Sequence, residues 1–313
     1  MGLFDSVKSM FGGESRGGPI DLQKRFTLER TAVTGTMAKF FAAKDHDNGG
    51  RIVGVKVLDP EKVEQFEGRF KGLNKPTEGE IAMQMRHRNV AETYEVGVST
   101  KGQPILIMEY VAGPGLQNII VQKQEKHVAG KRLALMRSMA QALKYVHSQG
   151  FIHRDICPRN FIFLPNSEDA KLIDFGLTVP AKPPFMVAGN RTGTPLYMSP
   201  EIVRRRPTDK RVDLFSLGVT FYCMITFAHP WQGEVVNGRA ALHHDSAPPK
   251  PLTEVCPNVN PSLARSVMQL LHPSADERTP TIEHFIQSIA RVTEVYKDNA
   301  PSPQLAKKRK EPN

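Results

Sequence analysis

The chain has 313 residues, 40% hydrophobic and 24% charged, with a net charge of +10. That balance is ordinary for a folded soluble protein and excludes a fibrous or wholly disordered chain. No run reaches the ~18 uninterrupted apolar residues of a membrane helix, and Cys157, Cys223 and Cys256, with no CxxC spacing, exclude a disulfide framework.

With no secretory signal in view, a cytoplasmic compartment is expected. The positive charge collects in one loop, at Arg204, Arg205, Arg206, Lys210 and Arg211, and in a tail at Lys307–Lys310. Neither run forms a basic stripe along a helix, so no nucleic-acid partner is expected. The tail run also fits a nuclear address, a motif of low specificity.

Residues 1–20 read as an N-terminal extension. Leu3, Phe4, Val7, Met10 and Phe11 share one face of a short amphipathic helix, which glycines and Pro19 then break. Met1-Gly2-Leu3-Phe4-Asp5-Ser6 fits the N-myristoylation pattern, giving residues 1–11 a weak membrane or partner contact. A helix that docks on its own domain or frays is the favoured reading of the same residues. From about Gln23 to Leu58 the chain reads as strands, with a turn at Gly49-Gly50 and a β-branched run over Arg51–Leu58. A helix follows over Pro76–Arg86, then a buried strand over Pro104–Val111. Leu133, Met136, Ala140, Leu143 and Val146 keep a helical period that ends before Gly150. Short strands are expected near Phe161–Leu164 and Ala170–Ile173, and helices over Arg211–Phe227, Pro261–Leu271 and Ile282–Val295. The uncharged stretch Leu214–Ala228 reads as a buried core helix. A small strand-rich half, 21–111, thus precedes a larger helical half, 112–295. Residues 296–313 read as a disordered basic tail.

The chemistry concentrates in His153-Arg154-Asp155-Ile156-Cys157-Pro158-Arg159-Asn160, followed by Asp174-Phe175-Gly176 behind the apolar Leu172-Ile173. Phosphoryl transfer from a nucleotide needs a group to orient the attacking hydroxyl and oxygen ligands for magnesium. Asp155 can accept the hydroxyl proton, while Asn160 and Asp174 can hold metal. HRDxxxxN followed by DFG resembles the catalytic loop and magnesium motif of eukaryotic-type Ser/Thr protein kinases.

The resemblance spans about residues 24–292 and implies an α+β, two-lobed fold: a five-stranded lobe with one main helix before a mostly helical lobe. It implies ATP and Mg2+ as cofactors and protein substrates with Ser or Thr hydroxyls as partners. Lys56, in Val53-Gly54-Val55-Lys56, stands where the family's phosphate-binding lysine does. Glu78 is its implied helix partner, with Glu80 a rival one register away. Met108-Glu109-Tyr110-Val111 resembles the hinge, Met108 guarding the adenine pocket while backbone groups of Glu109 and Val111 read the adenine edge. Gly193-Thr194-Pro195-Leu196-Tyr197-Met198-Ser199-Pro200-Glu201 resembles the end of the activation segment, and Asp213–Gly218 the DxxSLG helix. The resemblance also implies a structural pair between Arg278 and Glu201. These features oppose a small-molecule phosphotransferase.

Three departures stand out. Val33, Gly35 and Ala38 occupy the three glycine places of the family's phosphate-binding loop, so only the middle glycine remains. Phe40 replaces a usual valine over the adenine while Gly54 replaces the usual alanine, which implies a repacked adenine roof of similar volume, floored by Ile162. Cys157 stands where Ser/Thr kinases carry lysine, and Arg159 is positioned to replace that cation at the transferring phosphate. The weak glycine loop and Cys157 leave a pseudokinase scaffold as the alternative; Lys56, Asp155, Asn160 and Asp174 together oppose it.

Overall fold

A computed structural model describes residues 18–29, 33–35, 37–189, 191–231, 244 and 246–297. The readings of residues 1–11, of Gly2 and of Lys307–Lys310 lie outside them, as does the side chain of Val33. The chain divides into two units, one comprising the residues up to Ala112 together with Asp174–Pro180, the other Gly113–Ile173 and the residues from Ala181.

The first unit is built on an antiparallel sheet. Its strands are β1 (Phe26–Leu28), β2 (Val33–Thr34), β3 (Ala38–Asp45), β4 (Arg51–Leu58), β5 (Thr93–Val98) and β6 (Pro104–Glu109). They lie in the order β1-β3-β4-β6-β5, with the two-residue β2 paired to β3. Side chains alternate between the two faces of a strand. Val53, Val55 and Val57 therefore share one face of β4 and bury against Ile105 and Ile107 of β6, Ala43 of β3 and Phe26 of β1.

Among the described residues three short helices accompany the sheet, where the sequence suggested one over Pro76–Arg86. In α1 (Leu22–Arg25), inside the stretch expected to be extended, the Asp21 carboxylate accepts from the backbone N–H groups of Gln23 and Lys24. In α2 (Pro60–Glu67), Asp59 caps the first turn and Pro60 supplies a preset φ. The third, α3 (Glu78–Gln84), is shorter than Pro76–Arg86 because Thr77 and Glu80 form a capping box that starts it after Pro76.

The second unit holds α4 (Leu116–Val121), α5 (Arg132–Ser148), β7 (Phe151–Ile152), the paired β8 (Phe161–Phe163) and β9 (Ala170–Leu172), α6 (Pro200–Val203), α7 (Arg211–Thr226), α8 (Leu252–Val255), α9 (Pro261–Leu270) and α10 (Ile282–Ser288). Every residue of α7 except Arg211 is buried. At Gly218 a Cβ would lie 2.7 Å from the Leu270 Cβ, so α7 and α9 approach more closely than a side chain permits. The expected helix over Ile282–Val295 stops at Ser288. Arg137 Nη2 gathers the carbonyls of Ile289, Ala290 and Val292 at 3.1, 3.3 and 2.7 Å, some of which a continuing helix would have used internally. Among the described residues no helix is long and apolar enough to cross a membrane.

Candidate active site

In the first unit the alternation that buries the β4 valines turns Lys56 to the opposite face. Its ammonium is hydrogen-bonded to Glu78 Oε1 of α3 and lies 2.9 Å from Asp174 Oδ1. Burial alone would lower the Lys56 pKa, but the charges of Asp174 and Glu78 more than reverse it, so the amine stays protonated. Burial meanwhile pushes the Glu78 carboxyl above its ordinary value even with Lys56 beside it. Glu80 is engaged elsewhere: its carboxylate accepts from the Thr77 N–H at 2.7 Å and the Thr77 hydroxyl at 3.0 Å. Two residues along a helix is more than half a turn, so Glu78 and Glu80 cannot serve the same partner. Asp174 Oδ1 also accepts from the Gly176 N–H at 2.8 Å.

Near the same face, the Phe40 ring packs over Gly54. A Cβ at Gly54 would lie 2.7 Å from Phe40 Cε2 and Cζ and 3.3 Å from Met108 Cγ. The ring thus takes the space an alanine methyl would need. Val33 pairs with Phe40 in the β2–β3 register, and the turn closes through a 2.8 Å bond from the Gly35 N–H to the Ala38 carbonyl. Met108 and Val111 are buried, and the Glu109 N–H donates to the Glu92 carbonyl at 2.7 Å. Ile162 belongs to the second unit, on β8, where it bridges to Gly115.

In the second unit Asp155 is held from both oxygens. Oδ1 accepts from the Thr194 N–H at 2.9 Å and the Thr194 hydroxyl at 2.7 Å. Oδ2 accepts from Arg159 Nη2 at 2.9 Å and Asn160 Nδ2 at 3.0 Å. A carboxylate offers about four acceptor sites, so these donors saturate it. Asn160 Nδ2 also reaches the Asp155 carbonyl at 2.8 Å, leaving its amide oxygen as the group able to meet a cation. Cys157 lies 3.4 Å from the Thr194 hydroxyl. Its thiol is pushed up to about 12, first by burial and then by the Asp155 charge, so it carries no charge at neutral pH.

The loop around Asp155 is fixed by α7. Asp213 accepts from His147 Nε2 and from the backbone N–H groups of His153 and Arg154, each at 2.8 Å. Burial opposes its ionisation, but these hydrogen bonds hold the carboxyl below its ordinary value. They also restrain Arg154, whose φ of 66° is left-handed and strained for a non-glycine residue. Arg154 Nη2 donates to the Phe185 carbonyl at 3.0 Å and the Thr208 hydroxyl at 2.8 Å. Further along, Arg278 and Glu201 form a two-pronged ion pair at 2.7 and 3.1 Å. Sequence reasoning quoted Thr194 and Asp213 within motifs but gave neither a role. Their positions after the glycine and at the start of the uncharged helix were the available signals.

Comparison with known proteins agrees with this geometry. A family model described as protein kinase domain matches residues 26–289. The chain is similar to Serine/threonine-protein kinase pkn3 of Myxococcus xanthus, 28% identical over 291 residues, covering 88% of this chain and 52% of that protein. It is also similar to Serine/threonine-protein kinase Pkn1 of Myxococcus xanthus, at 30% identity over 83% of this chain and 37% of that protein. With CBL-interacting protein kinase 25 of Oryza sativa subsp. japonica the identity is 30%, over 87% of this chain and 52% of that protein. The chain therefore spans about half, or less, of these relatives' own length. The two-lobed fold, the motif residues and the match over 26–289 place this chain in the protein kinase domain family.

Proposed function

We propose that the protein transfers the γ-phosphate of ATP, with magnesium, to Ser or Thr hydroxyls of protein substrates. The observation that carries this reading is the charged triad of Lys56, Glu78 and Asp174, with the ammonium of the buried Lys56 between two carboxylates. Its members come from a strand, a helix and a segment 118 residues beyond the lysine. Desolvating the Lys56 and Glu78 charges is expensive, and a scaffold acting through contacts alone has no use for them.

The donor set fits a magnesium nucleotide. The Asp174 carboxylate in the first unit and the Asn160 amide oxygen in the second are each a hard ligand of the kind magnesium takes, and each would hold it through oxygen. When bound, the ion neutralises charge on the phosphates. Lys56 holds phosphate oxygens through a permanently charged amine. Within the first unit, Phe40, Gly54, Met108, Glu109 and Val111 would meet the adenine. Val33, Gly35 and Ala38 offer backbone to the phosphates.

Asp155 orients the acceptor hydroxyl and takes its proton. Because its acceptor sites are filled, the incoming hydroxyl must displace a donor. Arg159 is the candidate to leave, being long and about half exposed at its side chain. Once released, its planar guanidinium can meet the transferring phosphate in the place of the lysine that Cys157 lacks. Arg159→Ala should therefore lower turnover about ten- to a thousandfold, the scale of one transition-state donor. Cys157→Lys in that background should recover part of the loss; single-turnover assays would measure both. Undiminished turnover in Arg159→Ala would leave Arg159 as a surface partner of Asp155.

The proposed activity is tested by incubating the full chain with γ-labelled ATP, magnesium and histone, then identifying the labelled amino acids. Phosphoserine or phosphothreonine that disappears on magnesium chelation supports the reading. Absence of any label overturns it.

A further inference from the structure

Three consecutive backbone carbonyls, those of Leu196, Tyr197 and Met198, are each held by a side chain from elsewhere in the second unit. His229 Nε2 donates to the Leu196 carbonyl at 2.8 Å, Ser216 Oγ to Tyr197 at 2.7 Å, and His244 Nδ1 to Met198 at 2.7 Å. The imidazoles are themselves wedged among rings. His244 lies 4.3 Å from the Trp231 ring and 5.4 Å from Phe215, and Tyr197 meets His229 edge-on at 6.1 Å. Trp231 is anchored in turn by its indole N–H on the Ala247 carbonyl at 2.8 Å.

Carbonyls of an exposed turn point to water, whereas those carried inward with a buried chain must find a protein donor. Three in a row tied to the interior indicate a turn whose backbone position matters. The reason lies two residues upstream of Leu196. Thr194 binds Asp155 through both its N–H and its hydroxyl. A polypeptide whose hydroxyl reaches Asp155 approaches the carboxylate that Thr194 also binds, and at ~3.3 Å per extended residue a neighbouring side chain can reach Pro195 and Leu196. Pro195 is exposed and Leu196 half-buried, whereas Tyr197 and Met198 are buried. The turn therefore presents Pro195 and Leu196 outward while its carbonyls are held from behind.

Each histidine must present a proton to its carbonyl. Burial lowers the His229 pKa below its ordinary value, so the ring is neutral at pH 7 and carries one proton. That proton belongs on Nε2, facing the 2.8 Å contact with Leu196, because the Nδ1 contact to the Trp231 carbonyl is longer, at 3.4 Å. Asparagine and glutamine amides can reproduce such a neutral donor; phenylalanine and leucine cannot.

Resting on the kinase reading, we infer that His229 and His244 are positioning residues for the acceptor polypeptide, clamping the Leu196–Met198 turn on which residues flanking the phosphorylated hydroxyl dock. They serve the protein substrate and not the nucleotide.

The experiment measures steady-state kinetics with histone and ATP varied separately, alongside ATP hydrolysis without acceptor. His229→Phe keeps the ring packing and removes the donor; His244→Leu removes both. Each should raise the KM for histone about ten- to a hundredfold, the range between losing one hydrogen bond and misplacing a bound group. The KM for ATP and the hydrolysis rate should stay within about twofold. His229→Gln and His244→Asn should return the histone KM to near the wild-type value. Thermal melting establishes that each variant is folded; should His244→Leu not fold, the His229 pair decides alone. An unchanged histone KM in folded His229→Phe overturns the inference, as does a parallel fall in ATP hydrolysis or a failure of His229→Gln to restore binding. A wild-type protein that labels no acceptor overturns the kinase reading and this inference with it, whereas an active wild type with indifferent variants overturns the inference alone.

Discussion

Asp174→Ala should abolish phosphotransfer while leaving the fold in place. The substitution removes the carboxylate proposed to hold magnesium and one of the two anions that keep Lys56 charged. Lys56 retains Glu78, so its ammonium is not stranded in a buried site. The Asp174 side chain is 37% exposed, so its replacement opens no sealed cavity. Little change in melting temperature without nucleotide is therefore expected, together with transfer at background level at any magnesium concentration. Labelled-phosphate assays across a magnesium titration, paired with thermal melting, would measure both. Wild-type turnover in the variant would mean that Asp174 holds Lys56 and nothing else.

The largest expected loss of stability is at Arg278. Its side chain is fully buried, and its five contacts are two to Glu201 and one each to the carbonyls of Arg211, His272 and Pro273. Its guanidinium also lies 5.0 Å from the Phe215 ring centroid. Arg278→Met should cost about 3–5 kcal/mol, because Glu201 is left buried without a counter-charge. Adding Glu201→Leu should recover part of that loss, since removing both members is less harmful than stranding one. Urea unfolding of the single and double variants would show this. A loss below about 1 kcal/mol for Arg278→Met would mean that water or a neighbouring cation reaches Glu201 on relaxation.

The two halves and the long helices were legible in the sequence because their apolar periods are long. The buried α7 announced itself as an uncharged stretch, and β4 as a β-branched run. What escaped was short and decided by caps. The four residues of α1 carry no periodic signal, and their start depends on Asp21 reaching two backbone N–H groups. Strand β5 is broken in register between Thr93 and Glu95, which disturbs its alternation. The end of α10 was unreadable locally because Arg137, more than 150 residues away in the chain, collects its last carbonyls. At the site, motif spacing pointed to Lys56, Asp155, Asn160 and Asp174 but left Glu78 and Glu80 open. Geometry resolves them because Thr77 engages Glu80 in a capping box. The Thr194 donors to Asp155, and the imidazoles behind Leu196 and Met198, involve pairings tens of residues apart that no local pattern encodes.

The Phe40 ring over Gly54 has a consequence for the order in which substitutions could accumulate. Alanine at 54 with phenylalanine at 40 would force a methyl to within 2.7 Å of two ring carbons. Valine at 40 with glycine at 54 would leave a void where the ring had been. Each single change is unfavourable for an opposite reason, overpacking in one case and a cavity in the other. The valine–alanine combination relieves both, so the two effects are far from additive. The present pair and its smaller counterpart are thus separate solutions divided by a ridge, and passing between them one residue at a time requires the protein to survive a badly packed intermediate.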